Sequence, residues 1–230
     1  MRDISLSSSL LVFADELEYT EAALLAEPAT AELAPPVTLK LGQWDGVFSA
    51  WRSARREITR SNAVVAVVNA MLDEVTKLFG GEALVEAKQD RKSPLFRRFF
   101  PVAPSELIRW GFRDQVDATK NTILVELRKL AEGNRLRAYI EPMTSLVTSA
   151  TNAIERRSVV WGERSGVGLT TEDYKRGVNA LRTTTYAELL KIAAANGWSK
   201  AWADSFFRKP SERGEGVTEE PEPEPVAPPA

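Results

Sequence analysis

Apolar and small residues between positions 51 and 200 recur at steps of three or four, the spacing that places them on one face of an α-helix. Four such stripes follow one another along the chain. Their members are Ala54, Ile58, Ser61, Val65, Val68, Leu72, Val75 and Phe79; then Ile108, Phe112, Val116, Thr119, Ile123, Leu127 and Leu130; then Leu136, Ile140, Met143, Val147, Ala150 and Ile154; and finally Tyr174, Val178, Leu181, Thr185, Leu189 and Ile192. Because each stripe must be buried against another, the pattern predicts an all-α fold. We expect an elongated antiparallel helical bundle of about four long helices, with coiled-coil-like crossing angles and disordered or weakly ordered ends.

Glycine and proline mark where these helices are expected to begin and end. Gly80-Gly81 is expected to terminate the first helix, and Gly133-Asn134 separates the second stripe from the third. Ser105 is expected to cap the second helix. Pro142 lies inside the third stripe, so either the helix kinks there or a new helix begins with Pro142 in its first turn.

A glycine-rich segment, residues 162–171, precedes the fourth stripe. It is expected to form a loop between helices, with Thr170 capping the helix that follows. The alternative is a phosphate-binding loop, in which free backbone N–H groups and Arg164 contact an anion. The segment lacks the Gly-Lys-Ser/Thr ending of a P-loop, which favours the simple connection.

The two ends of the chain differ in composition from its body. Residues 1–43 are rich in Ala, Glu and Pro and are predicted to form an acidic arm, in which Pro35-Pro36 ends any helical structure. Residues 44–208 contain the stripes and form the predicted bundle. Residues 209–230 are rich in Glu and Pro and have almost no apolar bulk, which predicts a disordered acidic tail.

The formal net charge of -2 is a cancellation between regions. Residues 1–40 and residues 212–230 each carry a net charge of -5, whereas the residues between them carry +8. Such a basic body attracts nucleic acid, acidic lipid headgroups or an acidic protein surface. The alternative is that its arginines form solvated helix faces, paired with acidic neighbours. The candidates for anion binding are Arg52, Arg55, Arg56, Arg60 and Arg164.

Aromatic residues are concentrated in two places. One is the segment 93–104, which contains three Phe and three Pro beside two Arg, and the other is the segment 198–207. Aromatic and arginine side chains are enriched at protein interfaces. The alternative is that these aromatic rings fill the open end of the bundle. The candidates for an interface are Phe96, Arg97, Arg98, Phe99, Phe100, Trp198, Trp202, Phe206 and Phe207.

The sequence contains no cysteine and no histidine. This excludes disulfides, thiolate nucleophiles, metal sites with Cys or His ligands, and Ser-His catalytic relays. No arrangement of the remaining carboxylate, Lys, Tyr, Ser or Thr side chains identifies a reaction. We therefore predict no catalytic residue, no cofactor and no metal site.

These observations favour a non-enzymatic protein that acts through protein-protein contacts as a scaffold, adaptor or self-assembling subunit. Its partner is expected to be another protein, a second copy of itself, or both. Two alternatives stay open: an anionic membrane surface bound by the basic body and the Phe-rich segment, and nucleic acid bound by the basic body under the control of the acidic tail. A cytoplasmic location is expected, because the apolar run from Leu10 to Ala14 is shorter than a signal peptide requires.

Overall fold

The computed structural model describes residues 3–208, and within that range the fold is all-α, with no β-strand. The helices are α1 (Leu10–Ala26), α2 (Ala34–Gly42), α3 (Trp44–Glu86), α4 (Pro94–Phe99), α5 (Pro104–Leu107), α6 (Phe112–Ala118), α7 (Leu124–Arg128), α8 (Ile140–Asn196) and α9 (Lys200–Asp204). Short 3-10 turns lie at Ala31–Leu33 and Arg135–Tyr139, and a π-helical turn at Thr119–Ile123 joins α6 to α7. The predicted helical bundle is thus confirmed. The predicted tail, residues 209–230, lies outside the described residues.

The chain divides into two compact units, each with its own hydrophobic core. The described part of unit 1 consists of residues 3–55 and 163–208, and unit 2 consists of residues 56–162. The long helices α3 and α8, of 43 and 57 residues, each contribute to both units. The boundary that the sequence predicted after residue 43 marks a change in composition.

Unit 1 includes the segment that was predicted as an acidic arm. Ser9 caps the start of α1, and its hydroxyl accepts a hydrogen bond from the backbone N–H of Val12. Its residues Phe13, Leu17 and Leu24 are fully buried in the core of the unit. The expectation that Pro35-Pro36 ends helical structure is wrong. These prolines lie in the first turn of α2, where the missing N–H is not needed for an intrahelical bond.

Unit 2 is built around antiparallel portions of α3 and α8. The carboxylate of Glu57 accepts a hydrogen bond of 3.1 Å from Arg156, whereas near the other end of the unit the rings of Phe79 and Tyr139 lie 5.3 Å apart. Since Glu57 precedes Phe79 and Arg156 follows Tyr139, the two helices run in opposite directions here. The fully buried members of this core include Leu72, Phe79, Ile123, Leu127, Leu136 and Met143.

Helix α3 does not end at Gly80-Gly81, as the sequence predicted. A β-carbon on Gly80 would lie 2.7 Å from Cγ of Pro104, so glycine is required there by close packing and not by a turn. The helix ends at Glu86, and the chain turns through Lys88 and Gln89, whose φ angles are 53° and 65°. The N–H of Gln89 donates to the carbonyl of Leu84, and the N–H of Lys88 donates to that of Val85. This pair of bonds is a Schellman motif, formed here without glycine.

The second predicted helix is in fact four shorter pieces, α5, α6, the π-turn and α7. Ser105 does not cap a helix, because the residue before α5 is Ala103 and Pro104 occupies the first turn. A turn follows α5, with hydrogen bonds from Arg109 to Glu106 and from Trp110 to Leu107, and Gly111 precedes α6. The apolar spacing continues through these interruptions because each piece still buries one face. Spacing alone therefore did not reveal the four-residue break between α5 and α6.

The third and fourth predicted helices form the single helix α8. Pro142 is the third residue of this helix, so the second of the two alternatives for it is confirmed. The predicted loop at residues 162–171 is wrong. Thr170 is inside the helix, and its hydroxyl donates to the carbonyl of Gly166 at 3.2 Å. Three glycines cost about 1 kcal/mol each in a helix, but extending an existing helix adds one hydrogen bond for each residue that is fixed.

Candidate interaction surfaces

The Phe-rich segment contributes its rings to the core of unit 2. Helix α4 begins after Ser93, whose hydroxyl accepts a hydrogen bond from the N–H of Phe96. Phe96, Phe99 and Phe100 are 4%, 1% and 2% exposed, and the ring of Phe79 lies 5.2 Å from that of Phe99. The rings therefore fill the interior, as the alternative for this segment described, and they do not form an exposed aromatic surface.

The two arginines of α4, Arg97 and Arg98, remain at the surface. The guanidinium of Arg98 donates to the carboxylate of Glu126 at 2.8 Å, and the ammonium of Lys129 contacts the other oxygen of that carboxylate at 2.5 Å. The hydrogen bond from Lys129 is the largest cause that lowers the pKa of Glu126, and the hydrogen bond from Arg98 adds to it. Arg98 thus belongs to a surface ion-pair network within unit 2.

The aromatic residues near the end of the described chain differ in how far their side chains are exposed to solvent. The rings of Trp198 and Trp202 lie 4.5 Å apart, and Trp202 meets Phe206 edge to face at 4.8 Å. Phe206 and Phe207 are each only 4% exposed and belong to the core of unit 1, whereas Trp198 is 39% exposed. Of these four candidates, only the tryptophans offer ring surface to a partner.

The arginine candidates on α3 are exposed on the helix surface. The guanidinium of Arg55 lies 5.5 Å above the ring of Trp51, and Arg60 contacts Glu57 at 2.7 Å. Arg52 and Arg56 are exposed on the same helix. Arg164 lies in the interior of α8, away from both helix ends, so no helix N-terminus is present beside it to form the anion site that the glycines suggested.

A second apolar stripe on α3 was missed by the sequence analysis. Within unit 2 the stripe consists of Val64, Val67, Met71, Leu78 and Val85, which are between 50% and 58% exposed. The residues are separated by steps of 3, 4, 7 and 7 along the helix. They were overlooked because the buried stripe of the same helix has the same period and explains the helix by itself. These five residues form the outer stripe of α3.

One buried ion pair in unit 1 was also missed. Arg182 on α8 donates to Glu16 on α1 at 2.9 Å, and 1% of each side chain is exposed. The guanidinium also lies 5.4 Å from the ring of Phe207. No sequence signal reveals this pair, because the two residues are 166 positions apart.

Comparisons with known proteins find no match to this chain among family models, curated proteins or solved structures. Between residues 3 and 208, no helix is long and apolar enough to cross a membrane. In the same range, no group of three or more Asp or Glu side chains is arranged to hold a metal ion. The surfaces described above are therefore the basis for a functional proposal.

Proposed function

We propose that this protein is a non-enzymatic cytoplasmic helical-bundle protein that assembles through protein-protein contacts, and that its partner is a second copy of itself. The observation that carries the proposal is the outer stripe of α3. Contiguous apolar residues on a solvent-exposed helix face are typical of interaction sites, whereas single exposed apolar residues are not informative. The five residues of the stripe occupy heptad positions along α3, with Glu74 and Gly81 at the two positions between them, and heptad spacing lets two helices pack along a common seam.

The charges beside the outer stripe favour an antiparallel arrangement of the two copies. Arg60 and Glu82 lie eleven residues before and eleven residues after Met71. At about 1.5 Å per residue, each is about 16 Å from the middle of the stripe. A two-fold axis at Met71 therefore brings Arg60 of each copy to Glu82 of the other, whereas a parallel pair would place like charges together.

Both charged side chains are available for such a contact. The side chain of Arg60 is 73% exposed and that of Glu82 is 45% exposed. Their present partners are Glu57 at 2.7 Å and Arg135 at 3.5 Å. Exposed pairs of this kind contribute about 0–1 kcal/mol, so rearranging them costs little.

The expected association is weak. Burying the exposed half of a Val, Leu or Met side chain contributes roughly 1 kcal/mol. Five such side chains from each copy therefore contribute on the order of 10 kcal/mol, which lies within the range of about 4–15 kcal/mol that association costs. We expect a dimer whose population depends on protein concentration.

Sedimentation velocity over a series of protein concentrations tests the proposal. The average mass should rise with concentration from the 25.5 kDa of one chain towards twice that value. Met71→Glu and Leu78→Glu each place a charge in the seam and should abolish the rise. Leu169→Glu is the matched control, because Leu169 is 67% exposed on α8 and outside the stripe.

A charge exchange tests the antiparallel geometry separately. Arg60→Glu and Glu82→Arg should each weaken association, and the double variant should restore it, because both contacts are then reversed together. A mass that stays at 25.5 kDa at every concentration would remove the basis of the whole proposal. A dimer that is indifferent to the charge exchange would disprove only the antiparallel arrangement.

No second function is proposed. Binding to an anionic membrane surface depended on exposed Phe rings, and Phe96, Phe99 and Phe100 are buried. The arginines of α3 are exposed, but no described feature beside them selects nucleic acid over any other anion.

A further inference from the structure

A cavity of about 370 Å³ lies in unit 2, between the last turns of α3 and the start of α5. Its lining consists of Lys77, Gly80, Gly81, Leu84, Arg91, Phe96, Ala103, Pro104, Ser105 and Ile108. The volume is near the lower end of the range of about 300–1,000 Å³ that is usual for small-molecule sites. It is enough for roughly twelve groups of the size of a water molecule.

The lining combines apolar side chains with two positively charged ones. The side chains of Leu84, Phe96, Pro104 and Ile108 provide the apolar part. Two cations, Lys77 and Arg91, and the hydroxyl of Ser105 are the polar side chains of the lining, which contains no carboxylate. A ligand that fits this lining has an apolar body and one anionic head.

Lys77 and Arg91 differ in the ion pairs and hydrogen bonds that they form within the protein. Lys77 has its ammonium 3.8 Å from the carboxylate of Glu74, and both side chains are more than half exposed, so this pair is weak. Arg91 is exposed and forms no hydrogen bond or ion pair with any residue in the range 3–208. A guanidinium binds a carboxylate through two parallel hydrogen bonds, which makes Arg91 the better anchor for the head.

The backbone around the cavity brings Pro104 against α3 and places Arg91 in the lining. Gly80 allows Pro104 to approach the helix, because any β-carbon there would be 2.7 Å from the proline ring. At Gly81 a β-carbon would meet no heavy atom within 4 Å, so that side of the cavity is open. Lys88 and Gln89, which have left-handed backbone conformations, reverse the direction of the chain after α3. Arg91 follows this turn and lines the cavity.

We propose that this cavity binds a small amphipathic carboxylate, of the class of medium-chain fatty acids. The aliphatic chain lies against Leu84, Phe96 and Ile108, and the carboxylate accepts hydrogen bonds from Arg91 and the ammonium of Lys77. The site shares no residue with the outer stripe, although Gly81 lies between Leu78 and Val85 on the same helix. The proposal does not rest on the proposed self-association.

Isothermal titration of the full chain with monomeric decanoate tests the site. We expect saturable binding of one decanoate per chain, and no comparable binding of decyltrimethylammonium, which has the same tail and the opposite charge. Arg91→Glu should weaken decanoate binding about tenfold or more, since a hydrogen bond to a charged group contributes about 1.5–3 kcal/mol. Arg97→Glu is the matched control, because Arg97 is an exposed arginine nearby that does not line the cavity.

A second variant separates occupancy of the cavity from general attraction to positive charge. Gly81→Leu places a side chain in the open space beside the lining and should also weaken decanoate binding. Gly162→Leu is its control, because a β-carbon there likewise meets no heavy atom within 4 Å. Circular dichroism of each variant confirms that the fold is retained.

Three results would overturn the proposal: no saturable binding of decanoate, equal binding of the cationic analogue, or affinity unchanged in both Arg91→Glu and Gly81→Leu. Sedimentation of Arg91→Glu reports on self-association by itself, whereas Gly81→Leu is left out of this comparison because Gly81 lies between Leu78 and Val85 of the outer stripe. Loss of decanoate binding with dimerisation intact, or the reverse, therefore distinguishes the two proposals.

Discussion

The guanidinium of Arg182 donates a hydrogen bond of 2.9 Å to the carboxylate of Glu16, and 1% of each side chain is exposed. Arg182 is among the largest fully buried side chains of the described protein. Removing two charges from water is expensive, and their attraction offsets this cost only while both are present. The pair therefore links α1 to α8 within unit 1 in an all-or-none manner.

Glu16→Ala should lower the free energy of unfolding by about 3–5 kcal/mol, because it leaves the Arg182 charge buried without its partner. The measurement is urea denaturation followed by circular dichroism. Glu172→Ala is the matched control, since Glu172 forms an exposed pair with Arg176 and should contribute less than about 1 kcal/mol. The double replacement Glu16→Leu with Arg182→Met should recover most of the loss. Equal effects of Glu16→Ala and Glu172→Ala would contradict the role given to burial.

Replacing each of two adjacent glycines in α3 by alanine should change the stability of the protein in opposite directions. Gly80→Ala brings a methyl group to 2.7 Å from Pro104 and should destabilise the protein by about 1–2 kcal/mol, because overpacking outweighs the better helix propensity. Gly81→Ala meets no atom within 4 Å and should stabilise it by up to about 1 kcal/mol. Thermal unfolding of the two variants side by side checks the difference. If Gly80→Ala were stabilising as well, the close approach of Pro104 would be wrong.

The glycines of α8 should all accept alanine. Gly162, Gly166 and Gly168 lie in the helix, and a β-carbon on any of them meets no heavy atom within 4 Å. The triple alanine variant should therefore gain about 2–3 kcal/mol in the free energy of unfolding, with helix content unchanged or slightly higher. In a loop that used left-handed glycines the same replacement would be destabilising. The sign of the change thus distinguishes one continuous helix from two.

At the end of α3, a replacement by glycine should increase the stability of the protein. Lys88 has a φ of 53°, which strains any residue that carries a β-carbon. Lys88→Gly should raise the free energy of unfolding by about 0.5–1 kcal/mol, with the loss of chain entropy partly offsetting the relief. Lys88→Ala is the control, because it removes the charge but keeps the β-carbon, and it should stay close to the parent protein. A gain for alanine equal to that for glycine would assign the effect to the charge.

Burial raises the pKa of the Tyr174 hydroxyl from 10.0 to about 12. Because the folded state holds this proton more tightly than the unfolded state does, the contribution of Tyr174 to stability is complete below pH 10 and is lost as the pH rises towards 12. The ultraviolet difference titration between the parent protein and Tyr174→Phe should show one tyrosine ionising near pH 12. Tyr174→Phe should also lose less stability over this interval. A difference titration centred at pH 10 would show that the hydroxyl is accessible to water.

Local spacing in the sequence was sufficient to predict an all-α bundle and the break at Gly133-Asn134. It left two alternatives open for Pro142, and the structure decided between them. Local spacing mispredicted the end of α3, because glycine is required there by packing against another segment. Gly80 is explained by Pro104, a residue that lies 24 positions further along the chain, and Lys88 adopts a left-handed conformation although nothing in its sequence context marks it.

The candidate surfaces show the same division. The composition of the Phe-rich segment marked it as unusual. Whether its rings are exposed depends on which elements pack against them, and Phe96, Phe99 and Phe100 are in the core. The outer stripe was present in the sequence as a second heptad pattern on α3, and only burial of the first stripe distinguished the two. The Glu16–Arg182 pair and the cavity beside Arg91 unite residues that are distant in sequence.

The sequence by itself determined the class of secondary structure, because helical periodicity is a local property that each segment carries in its own apolar spacing. Only the tertiary structure decided which apolar face is buried, where the long helices end and which charges are paired. These depend on steric fit and desolvation between segments that the chain brings together from far apart. On α3, only the packing shows that the stripe containing Leu72 and Phe79 is buried and that the outer stripe is exposed.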